Sequence, residues 1–136
     1  MSCGASGALQ AAVFERLAGD AGLVAIVGAE IHDAVPPGAL PPLFVALGEE
    51  VVRDRSDATG RGAEHRFDVS VISEAAGFAG AKAAAAAVSD ALAGTPLALT
   101  RGTLIYLNFL RARARRTGRG RLRRIDLTFV ARVADD

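Results

Sequence analysis

Few residues in this chain are placed to make or break bonds. It has two histidines, His32 and His65, in different predicted elements, and one cysteine, Cys3. A metal centre needs several such ligands at converging spacing, and the sequence offers no such cluster. His65 reads as a partly buried strand residue, and His32 as a connector residue bonded to backbone. Glu49 and Glu50 are adjacent, so on a strand they face opposite ways and cannot pair as a catalytic acid and base. Ser56, Ser70, Ser73 and Ser89 lack the strand–turn–helix elbow of an activated nucleophile. There is no GxGxxG after a strand and no GxxxxGKS/T loop to cradle phosphates. The expectation is a protein that is not an enzyme and uses no cofactor and no metal, although a triad drawn from distant positions would leave no local trace.

The chemistry the chain does carry is charge. Residues 111–124, RARARRTGRGRLRR, hold eight arginines and no acid: Arg111, Arg113, Arg115, Arg116, Arg119, Arg121, Arg123 and Arg124. A guanidinium is a planar fork that pairs carboxylates and phosphates through two bonds at once. On either side lie LIYLNFL and IDLTFV, apolar enough to be core strands, and Thr117-Gly118-Arg119-Gly120 supplies glycines for a tight turn. The reading is a hairpin whose base is buried and whose arginine arm stands away from the core. A second polar segment, residues 53–62, carries Arg53, Asp54, Arg55, Asp57 and Arg61, and its position on a rigid hairpin suits a second contact. The net charge of +1 hides a division: residues 1–100 are acidic on balance and residues 101–136 basic. Three uses fit such an arm: a solvated edge kept from aggregating by charge, sequence-independent binding of nucleic-acid phosphates, and docking against carboxylates of a protein.

The elements that must position these charges follow from periodicity. With 136 residues, 51% of them hydrophobic, the chain suits one domain with a real core. Residues 1–5 are expected to lack fixed structure. Ser6 reads as the cap of a helix with Leu9, Val13 and Leu17 on one face. A short second helix over residues 21–27 stops at Gly28. Residues 31–35 form a short extended piece, and the prolines at 36, 37, 41 and 42 force a connector. Residues 43–52 read as a strand apolar on both faces at its start, hence central rather than edge, and residues 64–72 as an alternating strand; the two should pair antiparallel across residues 53–62. Residues 77–93 form the main helix, with Phe78, Ala81, Ala85, Val88 and Leu92 as its apolar stripe. The order α-α-β-β-α-β-β predicts an α+β domain: an antiparallel four-stranded sheet from two β-hairpins, with helices packed on one face. No apolar run reaches the ~18 residues of a membrane span. The start has no export signal, so an intracellular, cytoplasmic setting is expected.

The ordered series of these segments resembles the tail-terminator, or tail-completion, family of long-tailed phages and gene transfer agents. The resemblance is carried by LQAAVFERLAGDAGLVAIVGAEIHDAVPPGALPPLFVALGEE at residues 9–50, with Ile31, Asp33, Val35, Pro36, Pro42 and Gly48 in the family's places. EHRFDVSVIS at 64–73 and GFAGAKAAAAAVSDAL at 77–92, with Lys82 inside the helix, extend it. Overall it covers residues 9–133 and tapers in the last hairpin. His32 stands where an aromatic is common, and Ile72 where a Trp is common. What the resemblance implies is a structural protein of the particle, assembled in the cytoplasm. It would form a hexameric ring with copies of itself at the head-proximal end of the tail tube. The tail tube protein and the head's stopper or connector would be its partners. DNA would pass through the lumen without sequence-specific binding, and no membrane would be involved. The rival reading is a small nucleic-acid-binding protein that sets the basic hairpin on phosphates.

Overall fold

The computed structural model describes residues 3–58 and 60–135. Of the residues expected to lack fixed structure, Met1 and Ser2 lie outside the described ones, while Ala5 is buried in the core. Helix α1 (Ser6–Ala18) buries Leu9, Val13 and Leu17, a stripe at intervals of four. Ser6 is the first helical residue rather than the cap. Its hydroxyl donates to the Glu50 carboxylate, which ties α1 to the sheet. Helix α2 (Ala21–Val27) is capped by Asp20, whose carboxylate accepts from the Leu23 N–H at 2.9 Å, and it ends at Gly28.

The sheet corrects the expected architecture. It has five strands, in the order β1-β2-β3-β5-β4, and it is mixed rather than antiparallel throughout. The added strand is β1 (Ile31–His32), two residues long, which runs parallel to β2 (Leu43–Asp54) with Ile31 opposite Val45. So short a strand has no alternation to reveal it. The connector of residues 33–42 is what lets it return parallel. β3 (Gly62–Ser73) pairs antiparallel with β2, as the alternation predicts. β4 (Thr103–Thr117) and β5 (Leu122–Ala134) form the closing hairpin. Its second strand, not its first, lies against β3, with Gly62 opposite Ala134 and Ser73 opposite Arg123.

This order decides which hairpin strand is core. β5 is interior, and Arg123, Ile125, Leu127, Phe129, Ala131 and Val133 alternate as its buried face. β4 is an edge. Leu107 is 1% exposed, but Ile105 is 57%, Phe109 44% and Leu110 44% exposed, so LIYLNFL is not the buried strand its composition suggests. β4 also breaks register with β5 twice, leaving Ile105 and Leu110 as unpaired extra residues.

Helix α3 (Ala79–Leu92) lies over β3 and β5. Ala81, Ala84, Val88 and Leu92 are fully buried, and the two alanines add little bulk to the buried side of the helix. All three helices share one core cluster with Val45, Val69, Val71, Leu127 and Phe129. Phe67 stacks on Phe129 at 5.7 Å within it. The opposite face carries a small cluster of Phe44, Ala46 and Ile72, with Leu122 against it.

Candidate assembly interface

The arginine hairpin closes through a turn whose central residues, Gly118 and Arg119, both have φ near +60°, with the Gly120 N–H donating to the Thr117 carbonyl at 3.0 Å. Positive φ at both centres is the I′ geometry that matches the twist of paired strands. Glycine takes that conformation freely. Arg119 takes it at a cost of about 1–2 kcal/mol.

The hairpin is not an arm detached from the core, because its β5 side is built into the sheet. Arg123 is buried. Its guanidinium donates to the Ala76 carbonyl at 2.9 Å and the Gly120 carbonyl at 2.7 Å, and lies over the Phe78 ring. Arg124 and Arg115 converge on Asp126, at 2.8 and 3.1 Å, where the Ser70 hydroxyl also donates, at 2.6 Å. Burial opposes ionisation of Asp126, and the bonds from Ser70, Arg124 and Arg115 outweigh it, so its carboxyl lies below the usual carboxylate range. These three arginines hold the hairpin together. Arg111, Arg113, Arg116, Arg119 and Arg121 are exposed and have no ion pair among the described residues. Arg119 and Arg121 face Leu40 and Glu74 across an open groove of about 740 Å³.

The second expected contact, residues 53–62, is a hairpin tip ordered by its own bonds. Arg55 N–H donates to the Gly62 carbonyl at 2.8 Å. Asp54 accepts from both the Ser56 hydroxyl and its N–H. These bonds hold Asp54 below its ordinary pKa. Arg55 pairs with the largely buried Glu64 at 3.1 Å, and Arg132 of β5 donates to the Arg55 carbonyl. Asp57 accepts from the Gly60 N–H, and Thr59 lies outside the described residues. Arg53, at the end of β2, has no ion pair among the described residues, and Arg61 follows the tip. The strand register keeps this tip away from the arginine turn. Gly62 begins β3 beside one tip, and Ser73 ends it beside Arg123 at the other. Twelve residues of strand separate them, roughly 40 Å at 3.3 Å per residue.

His65, Glu50, His32 and Ser73 each have a partner within the chain. His65 is 1% exposed, and its Nδ1 lies 3.3 Å from the Glu50 carboxylate. Burial opposes ionisation of Glu50, but the bonds from His65 and Ser6 and the electrostatic pull of His65 leave it below the ordinary value. His32 bonds the Glu30 side chain at 3.0 Å rather than backbone, and sets its ring edge-on to Phe44. The Ser73 hydroxyl accepts from the Ala75 N–H. Among the described residues, no group of three His, Cys, Asp or Glu side chains is placed to hold a metal. No helix among them is long and apolar enough to cross a membrane. Sequence reasoning missed the exposed apolar residues of β4, Ile105, Tyr106, Phe109 and Leu110, beside the free arginines. Their signal was the run LIYLNFL itself, too apolar on both faces for an edge strand.

The chain is thus a mixed sheet with its core helices on one face and polar hairpin tips at its two ends. The sequence profile of the family described as "Tail completion protein gp17" matches residues 11–134, and the chain belongs to that family. It is therefore a structural, tail-completion protein of a phage-like particle. No curated protein sequence matches it. Among solved structures, it is similar to a chain of the "Virion of native gene transfer agent (GTA) particle", with 59% sequence identity and a TM-score of 0.92. The match covers 98% of this chain and 99% of the other.

Proposed function

We propose that the protein forms a ring, hexameric by family resemblance, at the head-proximal end of the tail tube of a gene-transfer-agent-like particle. The ring ends tube polymerisation and joins the tail to the head's stopper, and DNA passes through its centre. Assembly takes place in the cytoplasm, without catalysis or a cofactor. The observation that carries this reading is the pair of polar tips at opposite ends of one sheet. A joint between two different partners needs two separated surfaces on a rigid body, and a five-stranded sheet with a helical layer is such a body. Size is compatible. A globule of 136 residues has a radius of gyration of about 14 Å, and six in a touching ring leave a hole roughly 36 Å across, ample for duplex DNA of about 20 Å.

Electron microscopy of particles made with and without this gene tests the reading. Loss should leave filled heads without tails, beside tails of uncontrolled length. Normal particles would refute it. The five unpaired arginines also favour a second reading, phosphate binding, which predicts a steep fall of DNA affinity with salt. Salt-insensitive or undetectable binding removes that alternative.

A further inference from the structure

Nine large apolar side chains are exposed among the described residues, and seven of them fall at two places. Ile105, Tyr106, Phe109 and Leu110 lie on β4. Val24 and Ile26 lie on α2, which leads into β1, and Val35 follows β1. β4 and β1 are the two edges of the sheet. Charge divides in the same way. Residues 101–125 carry nine arginines and no acid, whereas residues 17–52 carry five acids and neither lysine nor arginine. Of those acids, Asp20, Glu30 and Asp33 flank α2 and β1.

Each edge thus sets exposed apolar side chains in or beside a chain segment of one charge sign, basic at β4 and acidic at β1. Two like edges repel, and two unlike edges attract. A contact between unlike patches of identical chains is heterologous, and it closes into a ring when its rotation permits. The bulges at Ile105 and Leu110 interrupt the hydrogen-bonding edge of β4, so a foreign strand cannot continue the ladder through the apolar half. The patch is left to meet side chains.

We propose that the occupant of the β4 edge is a second copy of this chain, presenting its α2–β1 edge. Ile105, Phe109 and Leu110 of one copy pack on Val24, Ile26 and Val35 of the next, and Arg111 and Arg113 face Asp20 and Asp33. This rests on the ring reading above and adds the surfaces that make the ring.

The test places Leu110→Cys and Val35→Cys together in a Cys3→Ser chain, assembles it into particles and treats them with a short bismaleimide. The double variant should give a ladder of covalent multimers, and either single variant only monomer. Dimers from the Leu110→Cys single variant would mean that two copies meet through the same edge, which overturns the proposal. Monomer alone from the double variant, in particles with several copies per tail, overturns the edge pairing and leaves the ring standing. One copy per tail overturns the ring as well. If the double variant does not assemble, Ile105→Cys with Val24→Cys takes its place and is read in the same way.

Discussion

Asp126 separates the arginines that build the hairpin from those that are free to touch something else. Its carboxylate accepts from Ser70, Arg115 and Arg124, and Ser70 is itself buried. Asp126→Asn removes the charge that these donors share and should cost about 1–3 kcal/mol in urea unfolding. The pH dependence has a definite sign. Asp126 binds its proton less tightly in the folded state. Its contribution is therefore complete above the unfolded value of ~3.9 and is lost as pH falls through the lower folded value. The stability gap between wild type and Asp126→Asn should stay constant from neutrality to about pH 5 and close below about pH 4; an equal gap at pH 7 and pH 3 would contradict the assignment. Arg119 offers the complementary test. Its left-handed backbone is strained, so Arg119→Gly should leave stability unchanged or raise it by up to about 1 kcal/mol. If the tip is a contact, the same change weakens tail attachment. A lowered melting temperature would show that the side chain serves the fold instead.

At the scale of elements, the close seating of α3 is the feature most exposed to a size change. Ala84 is 0% exposed, within the core that the helices share with the sheet. Ala84→Leu adds three carbons where no space is left and should cost about 1–3 kcal/mol. An unchanged melting temperature would mean that the helix can lift off the sheet without loss. The stripe of α3 was legible from spacing alone, and so were the strands β2 and β3 and their antiparallel pairing. The order of the last hairpin was not. Alternation tells which face of a strand is buried but not which neighbour it has, and both halves of the hairpin are apolar. Only the order β3-β5-β4 makes Leu127 and Phe129 interior and leaves Phe109 and Leu110 on an edge. β1 was illegible for a simpler reason: two residues cannot show a period. The arginine run was visible as charge, but the duties of Arg115, Arg123 and Arg124 within the fold depend on Asp126, Gly120 and Ala76, which only the folded chain brings near.

For the whole molecule, the decisive geometry is the separation of the two tips. One sheet carries the turn at Gly118 and Arg119 at one end and the tip at Ser56 and Asp57 at the other. A single partner of ordinary size, about 800 Å² per side, would have to wrap the length of the sheet to reach both. Two partners, one at each end, need no such wrapping. Damage to the two ends should therefore be distinguishable in particles. Arg119→Glu with Arg121→Glu reverses charge at the turn, where neither side chain has an ion pair among the described residues, so the fold should survive. Arg53→Glu reverses charge at the other end, where Arg53 likewise has no ion pair among the described residues. One variant should leave tails of normal length that fail to join heads, and the other should leave tails whose length is uncontrolled. Electron microscopy of the two variant preparations distinguishes these outcomes. If both variants give the same defect, the tips belong to one joint. The sheet would then lie along that joint, and the opposite-end argument for a connector between two partners fails.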